Sequence, residues 1–245
     1  MGLQTNAVTC HSVNAGVTVI IHFNQRQELV LHVSRKSPTE NQAICMEILL
    51  ALTCCVRAFN LRQIADGYFA GNVNKARRLL SGLVSQQLLI KNRLPIRELQ
   101  PLELPLAKWR VGEDAPNFGS LVVTIRSRWQ SAPTKLTPIY LAGPSAARML
   151  GYRTIGTLKR PLQASHDLGL AGVYLAVRRD RHQLAMFWYG EDIAPKQLGS
   201  VPDAIYIDGD GNTELAFEFC GLYSVNRLRT FHRHCAERRL SYELW

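Results

Sequence analysis

The chain is short of acid. Its 245 residues hold 19 Asp and Glu against 29 Lys and Arg, a formal net charge of +10. With a pI near 9.6, that imbalance suits a polyanionic partner, because each phosphate neutralised releases condensed counterions. Long apolar runs are lacking as well. No stretch of 18 apolar residues, no basic start followed by an apolar core, and no lipidation motif at Met1 can be found, so a cytoplasmic protein with no membrane partner is expected. Paired cysteines are missing too: the six cysteines include no C-x-x-C, which argues against a disulfide framework and for reduced packing thiols. Cys220, His232, His234 and Cys235 cluster in sequence but match no standard zinc spacing. Repeats and low-complexity tracts are absent. With 47% hydrophobic and 20% charged residues the chain is too apolar for disorder and long enough for two modest cores.

What is present is clearest over residues 45–93. Ile44, Ile48, Leu49, Leu52, Val56 and Phe59 recur at helical spacing and predict a helix of about four turns. Asn60 is placed to cap a short second helix over 61–69, with Leu61, Ile64, Ala65 and Tyr68 on its apolar face. Gly71 breaks the chain, and Asn72 can cap a third helix whose Val73, Ala76, Leu79, Leu80, Leu83 and Val84 gather on one side. The other side carries Asn74, Lys75, Arg78, Ser81 and Ser85, with Arg77 at the border. Leu88, Leu89 and Ile90 then predict a strand running into Lys91, Asn92 and Arg93. Three helices followed by a strand and a basic hairpin outline a winged helix-turn-helix. Between Arg57 and Arg97 stand eight Lys or Arg and one acid, Asp66. Asn72, Asn74, Lys75, Arg77, Arg78, Ser81, Lys91 and Arg93 are therefore the candidate contacts to double-stranded DNA, being the residue types that grip phosphate and base edges.

Around this segment the chain divides into three. Residues 1–40 read as an N-terminal β-hairpin (17–23 and 29–33, joined by polar 24–28) and a linker. Residues 41–160 read as the winged helix with an enlarged β wing, because 104–111, 120–129 and 137–141 have strand composition, followed by a short helix over 145–150. Arg126, Arg128, Lys135, Arg148, Arg153, Lys159 and Arg160 keep that region basic. Residues 161–245 read as a small α/β domain: a helix over 166–178 capped by Ser165, a strand over 184–189, a strand 202–207, a tight polar turn 208–212, a strand 214–220 and a last helix 224–239. The turn resembles a calcium loop at two carboxylate positions, but Phe219 stands where the bidentate glutamate belongs. His166 and His232 read as half-buried hydrogen-bonding residues, and Trp188, Tyr189, Tyr223, Tyr242 and Trp245 as core. Arg227, Arg229, Arg233, Arg238 and Arg239 make a second basic surface.

Asp203 and Glu218 carry the candidate chemistry. Their D-x14-E spacing on paired strands is close to that of the PD-(D/E)xK nuclease core, where two carboxylates hold a divalent ion and a lysine two residues on orients the attacking water. Cys220 stands at the lysine position, leaving Arg227 or Arg229 as the nearest replacement cation. No cofactor is expected unless this pair cuts DNA, when Mg2+ or Mn2+ would bind at Asp203 and Glu218. The alternative is a scaffold in which Asp203 begins a turn and Glu218 pairs with an arginine.

Taken in order, Ala76-Arg77-Arg78-Leu79-Leu80, Leu83 to Ile90, Tyr140-Leu141 before the 143–151 helix, His166-Asp167-Leu168, Pro202-Asp203-Ala204, Phe217-Glu218-Phe219 and Tyr242-Glu243-Leu244-Trp245 resemble the replication-relaxation family of plasmid mobilisation accessory proteins. The resemblance spans about residues 44–245 and implies an α+β chain, a winged helix followed by a nuclease-like domain. It also implies DNA binding in replication, relaxation or regulation of a mobile element; a homodimer, with replication or relaxation proteins as further partners, is expected besides. The insertion over 93–138 and the missing lysine depart from that pattern. A metal-dependent endonuclease and a protein-interaction adaptor are the two alternative functions.

Overall fold

The computed structural model describes the backbone of β1 (Ala7–Ser12), β2 (Val17–Phe23) and β3 (Leu29–Val33), and residues 39–152, 158, 160–194 and 202–245. The expected N-terminal hairpin is one strand larger: β1 pairs antiparallel with β2, which pairs with β3. The expected turn at 24–28, residues 37–38 of the linker, Arg153 and Lys159 lie outside the described residues.

α1 (Glu40–Leu50) opens on a reciprocal cap, with the Thr39 hydroxyl accepting from the Gln42 N–H at 3.4 Å and the Gln42 side chain accepting from the Thr39 N–H at 2.8 Å. The apolar stripe predicts that this helix continues to Phe59, and it does not. At Ala51 the coil widens into a π-helical turn (Ala51–Cys55), and Val56 is already extended. Thr53 sits in that turn and donates to the carbonyls of Leu49 at 2.8 Å and Leu50 at 3.1 Å, the kind of back-bonding that bends a helix. Val56 and Phe59 are buried all the same, Phe59 from the short strand β4 (Phe59–Asn60).

α2 (Leu61–Tyr68) and α3 (Val73–Ser85) are capped as expected, by Asn60 accepting from the Gln63 N–H at 2.8 Å and Asn72 accepting from the Lys75 N–H at 3.0 Å. The turn between them needs left-handed backbone, φ 47° at Ala70 and φ 83° at Gly71, which glycine takes without cost. Ile64 and Ala65 on α2 and Ala76, Leu80 and Leu83 on α3 are buried. β5 (Leu89–Arg97) then pairs antiparallel with β7 (Thr134–Ala142) from Leu89 opposite Ala142 to Arg97 opposite Thr134. β4 joins the free edge of β7, giving the order β4-β7-β5.

The stretch between β5 and β7 is not the all-β wing that its composition suggests. β6 (Ala107–Trp109) leaves to pair with the last strand of the chain, and 120–129, expected as a strand, belongs to helix α4 (Phe118–Ser131). The β-branched run Val122-Val123-Thr124-Ile125 favours a strand. Burial of Phe118, Leu121, Val122, Ile125 and Trp129 follows helical spacing instead, and Asn117 caps the helix by accepting from Gly119 and Ser120. α5 (Pro144–Met149) follows Gly143 as expected.

α6 (Pro161–Asp180) starts a full turn earlier than Ser165, with Pro161 pre-set for the first helical turn. Ser165 therefore caps nothing. It donates to the Pro161 carbonyl at 2.8 Å and accepts from the Arg97 N–H at 2.9 Å, tying the end of β5 to α6. The expected strand over 184–189 is shorter: α7 (His182–Met186) takes most of it, and β8 (Trp188–Gly190) begins only at Trp188. β9 (Ala204–Ile207), β10 (Thr213–Glu218), α8 (Val225–Glu237) and β11 (Ser241–Leu244) complete a five-stranded sheet of order β6-β11-β10-β9-β8. Only β10 and β11 run parallel, with α8 as their crossover. The 208–212 turn is closed by the Asp208 carboxylate, which accepts from the Asp210 N–H at 2.9 Å and the Asn212 N–H at 2.7 Å.

One apolar cluster runs from α1 and α2 across α6 to this sheet. One close crossing in it is between the π-helical turn and β8, where the Trp188 indole donates to the Cys55 carbonyl at 3.1 Å. A Cβ on Gly190 would lie 2.6 Å from that same carbonyl oxygen, and backbone cannot yield as a side-chain tip can. Gly190→Ala is expected to cost about 1–3 kcal/mol of stability, read as a lower urea midpoint; an unchanged midpoint would contradict this packing.

Candidate nucleic-acid interface and buried carboxylates

All eight residues singled out as DNA contacts, Asn72, Asn74, Lys75, Arg77, Arg78, Ser81, Lys91 and Arg93, are exposed. The helical repeat explains those on α3: with Ala76, Leu80 and Leu83 turned inward, Asn74, Lys75, Arg78 and Ser81 face out. On β5 the alternation of the strand does the same for Lys91 and Arg93. The two groups meet at Tyr140 on β7. The Lys91 ammonium lies 6.0 Å from its ring centroid, and burial raises the phenol pKa while the charge of Arg77 pulls it back. Arg77 also donates to the Asn74 side chain at 3.2 Å.

The eight basic residues between 57 and 97 are not equivalent. Arg62 pairs with Asp66 at 2.8 Å, Arg97 donates to the Trp129 carbonyl at 2.7 Å, and Arg57 is held by acids of the second half of the chain. The other five, Lys75, Arg77, Arg78, Lys91 and Arg93, have no ion pair among the described residues.

Asp203 and Glu218 do come together. The Asp203 N–H donates to Glu218 Oε2 at 3.3 Å, and Asp203 Oδ2 accepts from the Phe219 N–H at 2.7 Å. Glu218 Oε1 accepts from the Tyr223 hydroxyl at 2.7 Å and has the Arg227 guanidinium 3.9 Å away. Of the two arginines considered as replacement cations, Arg227 is thus the one beside the pair. Cys220 is fully buried, and burial pushes its thiol pKa well up.

The cluster extends further than the sequence suggested. His166 Nε2 lies 3.2 Å from Asp203 Oδ2 and 2.8 Å from the Phe219 carbonyl, with Nδ1 3.6 Å from Asp167 Oδ1. Asp167, itself buried, has the Arg57 guanidinium 3.9 Å from Oδ1. Arg57 in turn binds Asp192 through two hydrogen bonds of 2.7 and 2.8 Å and Glu191 at 2.6 Å. Asp167 Oδ2 has no partner among the described residues and lines a cavity of about 10 Å³, room for one water. Among the described residues no three His, Cys, Asp or Glu side chains are grouped so as to hold a metal ion. His232 instead makes a 3.1 Å hydrogen bond with the Tyr242 hydroxyl.

From sequence, Arg57 belongs only to a basic run, Asp167 only to the His166-Asp167-Leu168 motif and Tyr223 only to the core, and Glu191 and Asp192 have no role. One signal was legible: Asp167 is the only acid between Ala164 and Val177, in a helix buried on nearly every side. A lone carboxylate there demands a cation from elsewhere. That the cation would be Arg57 was not legible, because 110 positions of chain separate the two.

Burial, and then the charge of Asp203, raises the Glu218 pKa above the usual carboxylate range. For His166 burial works downward, but the charge of Asp203 and hydrogen bonds to Asp167 and Asp203 outweigh it and raise the pKa to about 11. Both groups hold protons more tightly folded than unfolded, so both contribute stability that is lost as pH rises. For His166 the contribution is complete below about pH 6.5 and gone above about pH 11. The thermal midpoint is expected to fall steadily from about pH 7 to about pH 10, and His166→Gln to flatten that fall; an equally steep profile in the variant would contradict the assignment. Compared with known proteins, the chain matches no family model, no curated protein and no solved structure.

Proposed function

We propose that the chain is a cytoplasmic DNA-binding protein, acting as a homodimer, that sets α3 into the major groove and lays β5 and β7 along the backbone. The reading is supported by the order α1, β4, α2, α3, β5 and, after β6 and α4, β7, with β7 between β4 and β5, which resembles a winged helix-turn-helix with an insertion in its wing. The single observation that carries it is the five cations, gathered on α3 and β5, that have no carboxylate partner among the described residues while the other basic residues of the segment are engaged elsewhere. Asn72, Asn74 and Ser81 lie among them and supply short hydrogen-bonding groups for phosphates or base edges.

In this reading the five-stranded unit is a nuclease-like scaffold of the replication-relaxation type, and the chain works in replication, relaxation or regulation of a mobile element. Its carboxylates serve the fold. Glu218 accepts from the Tyr223 hydroxyl on one oxygen and from the Asp203 N–H on the other, so both oxygens are tied to donors of the fold.

Joint loss of Lys75, Arg77 and Arg78 to alanine is expected to weaken duplex binding about 100-fold, at about 1 kcal/mol for each contact. Fluorescence anisotropy at about 150 mM salt measures it. Because all three side chains are exposed, the variant should melt with the parent. Equal affinity would refute the proposal, and no affinity in either protein would favour a protein-binding adaptor.

A further inference from the structure

A second charged surface lies at the end of the five-stranded sheet away from Asp203 and Glu218. There β6 and β9 finish while β10 and β11 begin, and an open basin of about 510 Å³ forms among their ends. Its floor is built by strand register. Leu215 on β10 pairs with Tyr206 on β9 and with Ser241 on β11, so the three side chains share one face of the sheet. Its rim carries three guanidiniums, Arg110, Arg181 and Arg239, against one carboxylate, Glu214.

The three arginines are held differently. Arg181 is fixed by two hydrogen bonds of 2.7 and 2.8 Å to Glu243, itself buried and receiving the Trp245 indole N–H at 3.2 Å. Arg110 and Arg239 are exposed and have no ion pair among the described residues. Arg239 also occupies the left-handed position that ends α8, at φ 53°, where glycine or asparagine is the usual choice. Tyr206 is half-buried, its ring edge-on to Phe187 with centroids 6.4 Å apart.

Planar guanidinium forks suit phosphate oxygens, and an aromatic ring suits a base. We propose that this basin binds a nucleotide, with its phosphate between Arg110 and Arg239 and its base against Tyr206. The nucleotide is either free or one unit of a single strand; the chemistry of recognition is shared. The site is separate from α3 and stands or falls independently of duplex binding there.

Isothermal titration of the full chain with AMP, with inorganic phosphate and with a short single-stranded oligonucleotide tests it. Either AMP or the oligonucleotide is expected to bind below about 1 mM. The affinity should drop at least about fivefold in Arg110→Ala/Arg239→Ala and remain in Lys75→Ala/Arg78→Ala. Tyr206→Leu should bring AMP down to the affinity of inorganic phosphate, the loss that stacking predicts. AMP binding assigns a free nucleotide; binding of the oligonucleotide alone assigns a strand. Arg110→Lys/Arg239→Lys keeps the charge and guards against a folding artefact, since partial recovery is expected there. No binding of either ligand, or a loss of less than about fivefold in the alanine pair, would overturn the proposal.

Discussion

Two buried carboxyl groups, those of Asp167 and Glu218, and the half-buried one of Asp203 gather where α6 meets the five-stranded sheet, and the molecule is arranged to make that tolerable. An uncompensated charge in such a place costs several kcal/mol, so each must find a proton, a hydrogen-bond donor or a cation. His166 stands between Asp167 and Asp203, Tyr223 and Arg227 approach Glu218, and Arg57 reaches in from the segment joining the π-helical turn to β4. The last of these connects the helical first unit to the sheet. It also fixes Glu191 and Asp192, just past β8, against the π-helical turn. The close approach of Gly190 to the Cys55 carbonyl lies beside this ion cluster and belongs to the same joint.

That joint decides how the positive charge of the chain is used. Counted along the sequence, Arg57, Arg62 and Arg97 are indistinguishable from Lys75 or Arg78. Folded, the first three are consumed by Asp192, Asp66 and the Trp129 carbonyl, while the cations of α3 and β5 are left facing solvent. Separation of structural from free charge is what gives the proposed interface its outline, and net charge alone could not have drawn it.

Much of the helical first unit was legible in the sequence because its signals are local. Asn60 and Asn72 as caps, Gly71 as a break and the stripe Ala76, Leu80, Leu83 each act within one or two turns. Where local preference and packing disagreed, reading failed. The β-branched run of α4 is helical because its buried face needs a period near 3.6, and Ser165 is no cap because Pro161 starts α6 earlier. The carboxylate pair was legible as a pair, through the spacing of Asp203 and Glu218 on adjoining strands. Its partners His166, Asp167 and Arg57 arrive from α6 and from before β4, and nothing within reach of a sequence window ties them to β9 and β10.

Binding of DNA phosphates by the exposed cations of α3 and β5 would make duplex affinity depend steeply on salt. If Lys75, Arg77, Arg78, Lys91 and Arg93 each neutralise one phosphate, log K should fall with log[salt] with a slope of roughly −4 to −5. Removing the three cations of α3 should bring the slope to roughly −2. A parent slope near zero, or the same slope in parent and variant, would contradict the claim.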